Sequence, residues 1–167
     1  MKAKLTINGK EFEVEISEEQ AQALTAEEKK TGYERVEVCD DFYYVSSDGS
    51  VDDATNEGDD YSENLYSVAN YYSNRTVAEN NARADKLYRQ LRRFAVEHRE
   101  KEIAFPCSED VYSIAYNYQV ETVGVVPYTY RKGYGMILFD LEESARLAID
   151  TFKDELIWYF TEYKDSL

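Results

Sequence analysis

The sequence predicts an α+β protein, with antiparallel sheets and two long amphipathic helices behind an N-terminal β-hairpin and short helix. Three observations carry that prediction. Apolar and polar residues alternate over 3–16, and Val, Ile and Tyr concentrate over 111–128, as strands require. Over about 75–99 and 141–163, apolar residues recur at spacings of three and four, the mark of a helix with one buried face. Turn residues separate these runs.

Residues 3–16, AKLTINGKEFEVEI, read as a hairpin. Leu5 and Ile7 alternate on one arm and Phe12, Val14 and Ile16 on the other, about Asn8-Gly9, where both turn positions need positive φ. Ser17 offers an N-cap for a short helix, EEQAQAL, with Gln20 completing a capping box. A charged linker closes this module, so the division is a hairpin-helix module over 1–31 and an α+β domain over 32–167. Within the domain, 36–45 reads as a strand, 46–49 as a turn, and 50–55 as a returning strand. The acidic stretch 56–63 reads as a loop and LYSVANYY, 65–72, as a strand.

Ser73 or Asn74 caps the first long helix. Its apolar stripe is Ala84, Leu87, Tyr88, Leu91, Phe94 and Ala95; Lys86, Arg89 and Arg93 lie on another face. Glu79 with Arg83 and Asp85 with Arg89 are i,i+4 pairs in the favourable order. After Pro106, 111–118 and 120–128 read as strands, YRKGYG as a turn and MILFD as a third strand. Asp140, with Glu143, caps a final helix whose face runs through Leu141, Ala145, Ala148, Ile149, Phe152, Leu156, Tyr159, Phe160 and Tyr163. Residues 36–100 and 108–165 therefore follow one pattern, ββ(β)α, in which Tyr72 matches Phe139 and Ala78 matches Ala145. A pseudo-repeat and an independent use of the same strand–cap–helix grammar both account for it.

The charge is −15 and unevenly placed. Residues 36–74 hold ten acids and no Lys or Arg, whereas 75–101 hold eight bases against four acids. Such a chain is repelled by nucleic acid and by anionic membranes, and attracted to basic partners. No run of residues is long and apolar enough for a membrane span, and the N-terminus has no signal-peptide core. Cys39 and Cys107 form no CxxC pair, which favours a reducing, cytoplasmic setting over a disulfide framework.

A search for chemistry finds little. His98, the lone histidine, has no triad context and suits a helix C-terminus. No phosphate-cradling glycine loop occurs, and the dispersed cysteines and histidine do not make a zinc site. The stretch from Asp53 loosely follows a calcium loop, but its twelfth position is Asn64 where a bidentate Glu belongs. The expectation is a protein without enzymatic activity, metal or cofactor.

The stretch TGYERVEVCDDFYYVSSDGSVDDATNEGDD, followed by YSVANYYSNRTVAEN, resembles a group of small proteins from phages and prophages of Gram-positive bacteria. The matches are Gly32, Tyr33, Glu34, Arg35, Tyr43, Tyr44, Gly49, Asn70, Tyr71, Tyr72, Ala78 and Glu79, with Ala69 standing where Gly is usual. GMILFDLEESARLAI is similar to the C-terminal part of such proteins. By analogy, the resemblance implies an inhibitor of host defence, of the anti-CRISPR type, acting in the cytoplasm of the bacterial host. Its contact residues would be Asp48, Asp52, Asp53, Glu57, Asp59, Asp60 and Glu63, with Tyr66 and Tyr71. Their carboxylates would stand in for phosphates in the basic groove of a nucleic-acid-guided nuclease, without direct contact to nucleic acid. The alternative is a structural phage protein that self-associates, as a homodimer, through its amphipathic helices. A further alternative is that the acidic block meets the basic face of the first long helix.

Overall fold

A computed structural model describes residues 2–7, 10–15, 17, 30–104, 110–129 and 133–167. The chain divides into two compact units, Met1–Lys30 and Thr31–Leu167. The first holds an antiparallel hairpin of β1 (Lys2–Ile7) and β2 (Lys10–Glu15), with Leu5 opposite Phe12. The Asn8-Gly9 turn and the short helix expected after Ser17 lie outside the described residues.

The second unit is α+β. Strands β3 (Asp41–Val45) and β4 (Val51–Thr55) form a hairpin about the 46–49 turn. There the Gly49 amide donates to the Ser46 carbonyl at 2.9 Å and Gly49 takes φ +88°. β3 is shorter than the expected 36–45. Residues 36–40 instead wrap the buried Asn56, whose amide nitrogen donates to the Val36 carbonyl at 2.8 Å.

A helix, α1 (Asp60–Ser67), follows, where a loop and a strand were expected. Asp59 caps it, its carboxylate accepting from the Ser62 amide at 3.0 Å and the Ser62 hydroxyl at 2.8 Å. Asp60 and Glu63 in the first turn complement the positive end of the helix. These start signals outweigh the strand preference of the Tyr and Val residues that follow. The helix ends in a Schellman motif: the Asn70 amide donates to the Leu65 carbonyl at 3.0 Å and the Ala69 amide to the Tyr66 carbonyl at 3.1 Å. Ala69 occupies the left-handed position of that motif, at φ +56°.

The chain then rejoins β3 only briefly. The Asn70 side chain imitates a strand, accepting from the Val45 amide at 2.8 Å and donating to the Val45 carbonyl at 2.9 Å. The Tyr72 backbone exchanges two hydrogen bonds of 2.8 Å with Tyr43. The long helix α2 (Arg75–Glu97) starts at once, capped by Asn74, which accepts from the Val77 amide at 3.1 Å.

Ser73 has a different task. Its hydroxyl donates to Glu34 at 2.7 Å, and Glu34 also accepts from the Thr31 amide and hydroxyl and from the Gly32 amide. The Ser73 amide in turn donates to the Gly32 carbonyl at 2.8 Å. This clamp ties residues 31–34 to the start of α2. The Thr31 amide first, and the Ser73 hydroxyl next, lower the Glu34 carboxyl from 4.5 to about 2.

The second half repeats the same plan. β5 (Val111–Asn117) and β6 (Thr122–Tyr128) form a hairpin, and Phe139 exchanges two 2.8 Å backbone bonds with Tyr112 of β5. MILFD thus touches the sheet at one position and forms no full strand. Helix α3 (Glu142–Thr151) begins three residues after Phe139, as α2 begins three after Tyr72. Ala78 and Ala145 are each the fourth residue of their helix, and each is 0% exposed.

Two details differ from expectation. The final helix is two, α3 and α4 (Lys153–Thr161), with Phe152 at the break. Asp140 does not cap α3; Leu141 holds that position without a side-chain bond. Asp140 instead accepts from the Glu100 and Lys101 amides at 2.8 and 2.7 Å, just past the end of α2.

Two cores flank α2. Near its start, Val77 and Ala78 pack with Tyr72, Tyr33, Tyr43, Val45 and Val51. Further along, Leu87, Leu91 and Ala95 pack with Phe139, Ala145, Ala148 and Leu156. The other face of the β3–β4 hairpin is covered from α1, where Phe42 stacks on Tyr71 at 4.1 Å and Tyr66 meets Tyr71 edge-on at 5.4 Å. The hairpin is therefore packed on both sides, while its aspartates stay exposed.

Ala69→Gly is expected to stabilise the protein by about 1 kcal/mol, read from urea unfolding, because a Cβ is costly in the left-handed region. Glu34 sets a pH dependence. Its folded value is depressed, so its stabilising share is complete above about 4.5 and is lost as the pH falls toward about 2. Glu34→Gln is expected to lower stability at neutral pH and to flatten the loss on acidification in that window.

Candidate acidic interface

The hairpin register decides which acids share a face. Asp52 lies opposite Tyr44 and Asp53 opposite Tyr43, and successive strand residues point to opposite sides. Tyr43 joins the core beside α2, so Asp53 belongs to that side, where its charge acts on Arg75. Tyr44 faces the other way. Tyr61, in the first turn of α1, meets it edge-on with ring centroids 6.0 Å apart. The neighbouring Tyr44 hydroxyl is the largest cause that pushes Tyr61 up to about 12. Burial and the negative charges of Asp52 and Asp59 add to it.

The carboxylates of the turn, β4 and the start of α1 are exposed. Asp48 sits in the turn, accepting from the Ser50 amide at 2.9 Å and hydroxyl at 2.7 Å, and these bonds lower its carboxyl. Asp52 accepts from the Ser46 hydroxyl. Glu57 lies exposed in the link to α1, and Asp59 and Asp60 stand at its start. The Ser62 amide and hydroxyl lower the Asp59 carboxyl. Every one of these bonds comes from an uncharged donor, so the carboxylates keep their full charge.

Glu63 differs, because it pairs with Arg35, whose guanidinium also lies 5.5 Å from the centroid of the Tyr66 ring. Tyr66 is 43% exposed and stands at the edge of the face. Tyr71 does not belong to it. At 2% exposure it is a core residue, because α1 covers the side of the sheet expected to be open. Of the nine residues expected at an interface, the structure brings Asp52, Asp59 and Asp60 to the Tyr44–Tyr61 pair and leaves Asp48, in the turn, and Glu57, in the link, exposed. It places Glu63 and Tyr66 beside them, turns Asp53 toward α2 and buries Tyr71. Tyr44 and Tyr61 were missed. The signal for Tyr61 was present in the Asp59 cap, which fixes the phase of α1.

The basic face of α2 does not neutralise this block. Among the described residues, the one ion pair made by 36–74 is Glu63 with Arg35. Arg75 pairs with Glu79 and Arg93 with Glu97. Arg83 holds both oxygens of Glu155, at 2.8 and 3.0 Å, and lies 3.9 Å over the Trp158 ring. The expected pair of Glu79 with Arg83 is thus replaced, because α4 offers Arg83 a bidentate partner with an aromatic floor, and the expected pair of Asp85 with Arg89 does not form. Arg89 approaches the hairpin turn, with a nitrogen 3.9 Å from where a Cβ on Gly49 would lie, and forms no ion pair with it.

Other chemistry is sparse. His98 caps the C-terminus of α2, its Nδ1 2.9 Å from the Phe94 carbonyl and its ring stacked on Phe94 at 3.8 Å. Cys39 is exposed and unpaired, while Cys107 lies outside the described residues. Among the described residues, no group of three or more His, Cys, Asp or Glu side chains converges to hold a metal ion. No helix of the described residues is long and apolar enough to cross a membrane. The arrangement can offer carboxylates and phenol hydroxyls to donors on a partner.

In Tyr44→Phe, Tyr61 is expected to titrate nearer its ordinary 10.0, because the main cause of its shift is removed. Ring resonances followed by NMR against pH would show this; an unchanged value would mean that burial alone holds Tyr61 up.

Comparison with known protein families, curated proteins and solved structures finds no match to this chain.

Proposed function

We propose that this protein is a non-enzymatic inhibitor of phage or prophage origin. It occupies a basic nucleic-acid groove on a host defence nuclease, in the manner of an anti-CRISPR protein. The observation that carries this reading is the exposed set of Asp48, Asp52, Glu57, Asp59 and Asp60, with Asp52 and Asp59 beside Tyr44 and Tyr61, none of which makes an ion pair among the described residues. Carboxylates held by short uncharged donors are pre-positioned, so little side-chain entropy remains to be lost on binding. Arginine accepts carboxylate and phosphate alike as a bidentate partner, which suits a groove built for a nucleic-acid backbone. Tyrosine adds contact area and a hydroxyl at low entropic cost. The resemblance of residues 30–165 to small phage proteins supports the same reading. It entails a host-cytoplasmic protein that needs no cofactor and touches neither nucleic acid nor membrane itself.

The test is a four-site charge reversal, Asp48→Lys, Asp52→Lys, Glu57→Lys and Asp60→Lys, none of which removes the Asp59 cap. Pull-down from nuclease-treated host lysate identifies the partner, and titration calorimetry with that purified partner gives the affinity. The reversal is expected to abolish capture while the circular dichroism spectrum is retained. Wild-type affinity is expected to fall by roughly tenfold or more between low and physiological salt. Undiminished binding by the reversed variant sinks the proposal. A wild-type chain that captures no partner and self-associates in light scattering favours the assembly reading.

A further inference from the structure

A second feature of the Thr31–Leu167 unit lies away from the acidic face. A cleft of about 450 Å³ opens between α2, the β5–β6 hairpin, the 134–137 segment and α4. Its floor is aliphatic and aromatic, from Leu87, Leu91, Ile114 and Phe139. Its walls hold five tyrosines: Tyr88, Tyr128, Tyr134, Tyr159 and Tyr163. Tyr159 and Tyr163 are stacked, with centroids 5.2 Å apart, and Tyr134 is fully exposed at the mouth. Asp85 is the one charged side chain among the described lining residues.

We propose that this cleft binds a small organic cation carrying a quaternary or fully methylated ammonium group on a compact apolar body. Tyrosine faces attract such a cation through the ring quadrupole, and Asp85 supplies the opposite charge. The Ser113 hydroxyl donates to the Ile137 carbonyl at 3.0 Å and the Tyr163 hydroxyl to Asn81 at 2.9 Å. A methylated ammonium has no N–H donors to leave unsatisfied against the apolar floor. Burial chiefly pushes the Tyr163 hydroxyl up to about 12, and the carboxylate charges of Asp165 and Asp85 are among the further causes, a negative field of the sign a cation needs. Among the described residues, the nearby cations lie outside the lining: Arg83 is held by Glu155, and Lys86 acts on Glu155. Past Tyr88 and Met136 the groove continues into a hollow beside Arg92 and Arg99, so the charge changes sign along α2 and the cation site is confined to the Asp85 end. The volume lies in the range of small-ligand sites.

Choline and its uncharged carbon isostere, 3,3-dimethylbutan-1-ol, separate charge from shape, and benzyltrimethylammonium adds an apolar ring. Each is titrated into the whole protein while the ring resonances of Tyr88 and Tyr159 are followed by NMR. The cations are expected to shift both rings saturably, with the neutral isostere about tenfold weaker or more. Asp85→Asn is expected to weaken choline binding by about fivefold with thermal unfolding unchanged. Tyr159→Phe, which keeps the ring face, is expected to retain binding, and Tyr159→Leu to lose it. Equal binding of choline and the isostere, no shift at tens of millimolar choline, or no effect of Asp85→Asn would each overturn the proposal. The charge-reversed variant of the acidic face is expected to bind choline as the parent does, so this site and the partner interface stand or fall separately.

Discussion

The rest of the 31–167 unit depends on one helix that belongs to two cores at once. α2 is about 34 Å long at 1.5 Å per residue. Its first turns bury Val77 and Ala78 under the β3–β4 hairpin, and its later turns bury Leu87, Leu91 and Ala95 against Phe139, α3 and α4. A carboxylate fastens each end. Glu34 reaches the start through Ser73, and Asp140 takes the Glu100 and Lys101 amides just past the end. Each of these acids lies in the segment of its own half that meets α2, so both halves are held to the same rod by charge-assisted bonds as well as by apolar burial.

The matching bridges, Tyr72 on Tyr43 and Phe139 on Tyr112, follow from the same constraint. In each half the chain must leave a hairpin and enter a helix that packs back on it. A single exchanged pair of backbone bonds is enough to aim the helix, and a fully buried alanine four residues into it lets helix and sheet approach closely. A full third strand would carry the chain past that point. In the first half the Asn70 side chain supplies the additional bonds that a strand would have made.

α1 converts this scaffold into a surface. It closes the side of the β3–β4 hairpin that α2 leaves open, takes Tyr71 and Phe42 into the core, and carries Asp59, Asp60 and Tyr61 to the edge where Tyr44 and Asp52 emerge. Among the described residues, no ion pair joins that charge to α2, whose Arg75, Arg83 and Arg93 are engaged elsewhere, most firmly Arg83 with Glu155 and Trp158. The acidic face and the tyrosine-lined cleft thus lie on different halves of one rod.

The sequence by itself determined the local grammar. Both domain hairpins, the Asn74 cap, the stripe of Leu87, Leu91 and Ala95, and the correspondence of Ala78 with Ala145 were legible in it. Turn chemistry, capping and periodicity act over a few residues, and short range is what a sequence displays. α1 was misread because LYSVANYY favours a strand one residue at a time, while its helix rests on a cap at Asp59 and on an aromatic layer contributed by Phe42 and Tyr71. The break at Phe152 was hidden because one apolar face spans both α3 and α4; the break brings Trp158 under Arg83. Only the tertiary structure decided these points, together with the burial of Tyr71 and the choice of partner for Arg83. Each depends on groups far apart in the chain, whose competition for one site is settled by packing and charge geometry.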